Sequence, residues 1–414
     1  MKKSNRIIQV GVAAALATLA GAAAASGLAI GTQSGSGTGN AFAGGTALAE
    51  DASTVWYNPA GMTQLARGVH FAISAHAIKP SFRFNNTGST GAFAAAGSGD
   101  GGDGGDWTAI PQGYAVASLG DNWRVGLGVN TPYGLQTEYD PAWRGRFAAQ
   151  KSGLKAFNLN LGLAWRINNT ISVGAGANYQ RLELDLNSAS AAGTVDIKAS
   201  DNSAGFNAGA LFEVTPAARI GVHYRSSMNF QPTGRVNFSG APALNSNVTA
   251  GVTEPETLSV SAFATISPTW DLMWDVTWTR WSRIKSLSFV RTSLVPGATV
   301  STLTFNWRDT MRYSVGANYN LNEKWKFRMG TAYDESPTND ADRTPRVPDQ
   351  NRIWAAFGVQ YKLTKNAAFD LGYAHEFIKT TNINTAVSGV AGRLIGEYTG
   401  SSVDIISLQY TQSF

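Results

Sequence analysis

The chain has 414 residues, no cysteine and a formal charge of +5 at pH 7. Without thiols, disulfide scaffolding and thiolate chemistry are excluded. Much of the positive charge sits at the start, and no basic cluster elsewhere points to nucleic acid, which is excluded as a partner.

Residues 1–25 read as a secretory signal. Lys2, Lys3 and Arg6 form the charged region, Ile7 to Ala20 the apolar one, and Ala23-Ala24-Ala25 the small-residue cleavage site. The mature chain is expected to begin at Ser26, with a charge of about +2 once those three cations are gone. Beyond residue 25 no run approaches the 18 apolar residues of a helical membrane span. Forty-five Gly, twelve Trp and thirteen Tyr suit instead a chain of strands whose apolar and polar faces alternate.

The first informative stretch after the signal is Gly39 to Met62, GNAFAGGTALAEDASTVWYNPAGM. It is too polar and Gly-rich for a membrane span. Asn58 suits the start of a turn, Pro59 fixes φ, and Gly61 allows a left-handed backbone. From Val69 onward the hydrophobic period is two. Strands are expected at 69–79, 110–119, 122–134, 155–167, 170–186, 204–214, 217–230, 256–267, 269–284, 303–320, 324–333, 351–363, 366–379 and 402–414. In the third, Trp123, Val125, Leu127 and Val129 share one face, and Arg124, Gly126, Gly128 and Asn130 the other. In the fourth, Phe157, Leu159, Leu161, Leu163 and Trp165 alternate with Ala156, Asn158, Asn160, Gly162 and Ala164.

The connections alternate long and short, seven and six of them by this reading. An outer-membrane barrel sorts its connections in this way, with short periplasmic turns and long external loops, and a soluble sandwich has no reason to. Candidate lipid faces end in aromatics, as at Trp270, Trp274 and Trp278, and the last strand ends on Phe414. The predicted fold is all-β: a 14-stranded antiparallel transmembrane β-barrel.

Four stretches carry a resemblance. They are Asn58-Pro59-Ala60, the run Thr131-Pro132-Tyr133-Gly134 to Tyr139, the run Trp278-Thr279-Arg280-Trp281-Ser282, and the series from Asp309 through Asp334-Glu335-Ser336-Pro337 to Asn351-Arg352. In this order the chain resembles the FadL-type outer-membrane transporters of long-chain fatty acids and aromatic hydrocarbons. The resemblance implies a hatch over residues 26–68 plugging the lumen of a barrel over 69–414. It implies that Asn58, Pro59 and Ala60 gate the hatch and lie near an inward kink at Asn130, Pro132, Tyr133 and Gly134, which opens the wall sideways. Ser26, Gly27 and Leu28 would reach the ligand pocket. Passive, ligand-gated diffusion of a hydrophobic small molecule follows, in a monomer contacting outer-membrane lipid, lipopolysaccharide and the barrel assembly machinery, with no cofactor.

The residues themselves support part of this. Pro132 cannot donate to a ladder and Gly134 relaxes the backbone, so the third strand should bend or end there. The four histidines show no metal spacing, and no nucleophile elbow or phosphate loop appears, so no enzyme is predicted and no metal site. A ligand carboxylate would need a cation. Arg181 and Arg308 are the ligand-binding candidates, read with Arg328 as lumen-facing. No basic pair stands out at the outer ends of strands five and ten, and 187–203 reads as a short external loop. Neutral aromatic or aliphatic hydrocarbons therefore remain an alternative to fatty acids. A general diffusion porin is the further alternative, against which the plugging segment argues.

Overall fold

The computed structural model describes residues 27–97 and 99–414; the expected signal segment and Ser26 lie outside the described residues. Fourteen strands form the wall: β1 Val69–Ser81, β2 Thr108–Ser118, β3 Trp123–Asn130, β4 Lys151–Arg166, β5 Ile171–Ser190, β6 Gly193–Thr215, β7 Ala218–Arg225, β8 Thr257–Thr265, β9 Trp270–Thr279, β10 Thr310–Asn320, β11 Trp325–Asp334, β12 Arg352–Thr364, β13 Ala367–Ile378 and β14 Ser402–Ser413. Each pairs antiparallel with the next. β14 returns to β1, from His70 opposite Ser413 to Ser81 opposite Ser402, and closes the barrel. Closure removes the sheet edges that a bilayer could not solvate.

The period-two pattern sorts side chains as expected. On β4, Leu159, Leu161, Leu163 and Trp165 are exposed to the lipid side, while Ala156, Asn158, Asn160 and Ala164 are buried toward the lumen. Aromatic pairs ring the short-turn end: Trp123 with Trp165, Trp270 with Tyr319, Trp325 with Tyr361, and Phe369 with Tyr410, at centroid distances of 4.6–5.5 Å. Such a belt marks the membrane interface.

Several spans differ from expectation at the outer end. The stretch 187–203 is no loop: β5 and β6 run on past the bilayer as one long hairpin, paired up to Ser190 opposite Gly193. Its alternation is carried by short polar residues, which hid it. β7 stops at Arg225 and β9 at Thr279, where a 3₁₀ turn, Trp281–Arg283, begins. The stretch before β10 belongs to an external hairpin, Ser286–Arg291 with Thr299–Thr304.

Inside the wall lies a compact plug of short helical turns: α1 Gly35–Thr38, α2 Gly45–Leu48, α3 Thr54–Tyr57 and a 3₁₀ turn, Pro59–Gln64. These turns press their backbone on the wall where the wall has no side chain. A Cβ at Gly330 would overlap the backbone of Asn40, and one at Gly209 would overlap Asn58 Oδ1. Ions pin the plug as well. Glu50 meets Arg328 Nη1 at 2.7 Å and Lys326 Nζ at 3.2 Å, and Arg328 is held in turn by Asp370 at 2.8 Å.

Candidate functional site: a wall gap barred from inside

The third strand breaks where proline was expected to break it. Asn130 pairs with Asn158 and Gly134 with Lys155, so three residues of the broken strand face two on β4. Pairing resumes over Gly134–Glu138. Asn130 to Leu135 are all buried, so the alternation of outward and inward side chains ceases there. On the other side, β2 pairs with β3 only from Gly113 to Ser118. Among the described residues, no ladder pair joins Thr108–Gln112 to β3 or its continuation. The wall has a gap between β2 and the kink.

A gap in lipid leaves polar backbone groups that something must satisfy. The N-terminal arm, residues 27–33, does so from the lumen. Ile30 N–H donates to Pro132 O at 2.8 Å, and Gly134 N–H to Leu28 O at 2.9 Å. Ala29 and Tyr133 form an isolated antiparallel bridge. The Gln33 amide donates to Thr131 O at 3.0 Å and Ile30 O at 2.7 Å. β2 completes the bar, with Gln112 Nε2 donating to Thr32 O at 2.7 Å and Tyr114 Oη to Gln33 O at 2.9 Å. The arm is thus a substitute strand lying across the gap.

The arm is fastened at its start. Gly27 N–H donates to Asp349 Oδ2 at 2.8 Å, an oxygen that also accepts from Ser336 Oγ at 2.7 Å. Arg352 holds the other oxygen of Asp349 and reaches Glu376 at 2.5 Å. A Cβ at Gly27, whose φ is +61°, would sit 3.0 Å from Pro337 Cγ and 3.1 Å from Trp281 Cζ2. Tyr133 stacks edge-on to Trp281 at 6.1 Å.

Between arm, kink and plug lies a cavity of about 190 Å³. Pro132 and Tyr133 line it, with the rings of Trp56, Tyr57, Trp281 and Trp354. Two guanidiniums also face it. Arg312 donates to Ala41 O at 2.8 Å, lies 4.0 Å from Asp334 and covers the Trp354 ring at 5.1 Å. Arg225 donates to Asn178 Oδ1 at 2.7 Å and Trp56 O at 2.8 Å, and lies over the Trp56 ring at 3.4 Å. Arg225 forms no ion pair among the described residues; it touches two neutral acceptors and a π face, and the carboxylates of Asp275 and Asp334 line the same cavity. A second, outer groove of about 490 Å³ lies between the long hairpin and the loops, with Phe147, Leu186, Phe238, Phe289 and Leu303 among its walls.

The sequence candidates divide. Gly27, Leu28, Asn130, Pro132, Tyr133 and Gly134 meet at the barred gap. Asn58, Pro59 and Ala60 do not lie at the kink. Asn58 Nδ2 donates to Ala210 O on β6 at 3.0 Å, and Pro59 and Ala60 pack at Gly174 on β5. Those wall residues are level with Arg124 of β3, well down the strand from Asn130. The two arginines are corrected. Arg181 points outward, not into the lumen, paired with Glu183 at 2.8 Å, because the odd positions of β5 face away from the barrel. Arg308 is exposed in the stretch before β10, and among the described residues only its backbone N–H is engaged, on Pro337 O. Arg328 is lumen-facing as read, but Glu50 and Asp370 already occupy it.

Arg225 was missed, yet a signal existed. Arg219, Gly221, His223 and Arg225 alternate with Ile220, Val222 and Tyr224, which places the arginine on the lumen face. Gln33 and Asp349 had no signal beyond their neighbourhood, since their partners are far off in the chain.

Comparison with known proteins agrees with this architecture. Residues 16–414 match the family described as outer membrane protein transport protein (OMPP1/FadL/TodX). A putative outer membrane protein of Neisseria meningitidis is 31% identical, over 94% of this chain and 95% of its own. A long-chain fatty acid transport protein of Escherichia coli is 27% identical, over 93% and 95%. The crystal structure of a FadL homologue of Pseudomonas aeruginosa superposes with a TM-score of 0.87 at 24% identity, covering 94% of this chain and all of that one.

Proposed function

The chain belongs to the outer membrane protein transport family, and from that premise we propose that it admits lipophilic molecules bearing an acidic head by a sideways route. A ligand enters the outer groove, where apolar walls from Phe147 to Leu303 remove its tail from water. It passes to the cavity beside the kink and leaves into the outer leaflet through the gap between β2 and Asn130–Gly134 when the arm withdraws. Passage is passive, because every step is binding or release, and no catalytic role is assigned to any residue. Lipopolysaccharide would meet the outward Arg181–Glu183 pair above Tyr179 and Phe206. The assembly machinery would read the terminal Phe414 strand. The molecule would act as a monomer, since each wall strand finds its partners within the chain.

The observation that carries the acid assignment is Arg225. A buried guanidinium without a carboxylate partner is half of a charge-assisted pair, and a fatty carboxylate is the other half. The second reading, a neutral aromatic hydrocarbon, is favoured by the rings of Trp56, Tyr57, Tyr133, Trp281 and Trp354 around the same cavity.

Mass spectrometry of lipophiles extracted with the protein, followed by titration with laurate and with dodecane, decides between them. Arg225→Met should weaken laurate binding by about 10- to 100-fold, the worth of a charged hydrogen bond, and leave dodecane unchanged. Arg181→Ala and Arg308→Ala should alter neither. A protein that binds both probes alike, before and after Arg225→Met, takes neutral compounds.

A further inference from the structure

The lumen wall behind the cavity carries a row of asparagines: Asn130 on β3, Asn158 on β4 and Asn178 on β5, each 2% exposed. Asn158 Nδ2 is divided between two acceptors, Asn130 Oδ1 at 2.9 Å and Asn178 Oδ1 at 3.3 Å. Asn178 Oδ1 also accepts from Arg225 Nη1 at 2.7 Å. At the other end, Asn130 Nδ2 donates to Gln33 Oε1 at 2.6 Å. Gln33 is the side chain that ties the arm to the kink through Thr131 O. A continuous line of hydrogen bonds therefore leads from the cavity's unpaired guanidinium to the bar across the gap.

We propose that Arg225 senses the ligand, and that Asn178, Asn158 and Asn130 are positioning residues that pass its displacement to Gln33 and loosen the arm. This rests on the cavity being the ligand site, as argued above. The shared acceptor is the key. At Asn178 Oδ1 the charged donor holds the short bond and the neutral donor the long one. A ligand oxygen that draws Arg225 Nη1 away leaves Asn178 Oδ1 to Asn158 alone. Asn158 Nδ2 turns toward it and away from Asn130. Asn130 then carries a buried acceptor without a donor, a costly state in a low-dielectric interior, and loses its orientation toward Gln33. Two atoms of the row, Asn158 Oδ1 and Asn178 Nδ2, are buried without a hydrogen-bond partner among the described residues. A turn of the Asn158 amide therefore breaks its bond to Asn130 and no other. A row of leucines would brace the wall equally well and transmit nothing.

Hydrogen exchange of the Ile30 and Gly134 amides, read by mass spectrometry on the full chain in lipid nanodiscs, tests the relay with laurate as the probe. In the native protein, laurate should speed exchange at both amides by about tenfold, within the usual range of coupling between two sites. Asn158→Leu should still bind laurate but lose that acceleration. Asn158→Ala should do the same, and serves if the first variant does not fold. Equal acceleration in the native chain and in either variant overturns the relay while leaving the cavity as the ligand site. Native protein that binds laurate without any acceleration also overturns it. Native protein that fails to bind laurate removes the premise, and with it the relay.

Discussion

Glu50 illustrates how one residue secures the plug. Burial alone would raise its carboxyl, but Arg328 and Lys326 outweigh burial and hold it at about 2, against 4.5 when free. A folded-state value below the unfolded one means that the ionised form is favoured in the native protein. Its contribution is complete above about pH 4.5 and is lost as pH falls toward about 2. Acid should therefore release the plug before the wall, whose ladder does not titrate. Single-channel conductance across that pH window should rise in the native protein. Glu50→Gln should show raised conductance already at pH 7, with the acid-dependent step diminished. A native conductance flat from pH 5 to pH 2 would contradict this account of the anchor.

At the scale of elements, the decisive feature is a strand that stops being one for three residues. Thr131, Pro132 and Tyr133 occupy the space of two on β4, and Pro132 brings no N–H to the ladder. Elsewhere such a bulge would be trimmed by its neighbour strand, but here β2, paired with β1 on its other side, forms no ladder pair with the broken strand at that level among the described residues. The arm supplies the missing partners instead, at roughly 1 kcal/mol net for each hydrogen bond. On the proposed sideways route, bonds of this size hold the gap shut until a ligand displaces the arm. Deleting Thr131 together with Pro132→Val and Gly134→Val should restore a regular strand. The barrel should still fold and resist detergent, and uptake of radiolabelled laurate by whole cells should fall to the level of cells lacking the protein. Uptake at the native rate would exclude the sideways route.

For the molecule as a whole, division of labour between wall and plug matters most. Apart from the gap beside the kink, the wall is held by a ladder of backbone bonds that closes on itself between β14 and β1. The plug is held by separable side-chain contacts, such as Glu50 with Arg328 and Asp51 with Gln409 Nε2 at 2.8 Å. Closure itself ends on one residue. Phe414 N–H donates to Val69 O at 2.9 Å, Val69 N–H to Phe414 O at 3.1 Å, and the terminal ring packs edge-on to Phe71 at 6.1 Å. Removing Phe414 deletes two seam bonds and that contact, about 2 kcal/mol in all. The urea midpoint of refolding into vesicles should fall accordingly, while laurate affinity of the folded fraction stays native. An unchanged midpoint would mean that the seam is stable without its last residue.

By itself the sequence determined the wall. Period-two alternation, turn residues at the short connections and aromatics at the strand ends are local signals. Each strand of a barrel must satisfy the same two solvents, lipid outside and a polar lumen inside, so each carries the same legible code. The break at Pro132 was legible for the same reason, since a missing N–H is a property of one residue. Only the tertiary structure decided what fills the break, which cation faces the cavity without an ion pair among the described residues and where Asn58-Pro59-Ala60 rests. Arg181, Arg225 and Arg328 look alike in the chain, yet the first faces outward, the last is neutralised by acids from the plug and β13, and only Arg225 meets the cavity unpaired. The pairing of Arg328 with Glu50 and the fastening of Gly27 to Asp349 depend on partners hundreds of residues away, and no local pattern encodes a meeting that closure of the barrel brings about.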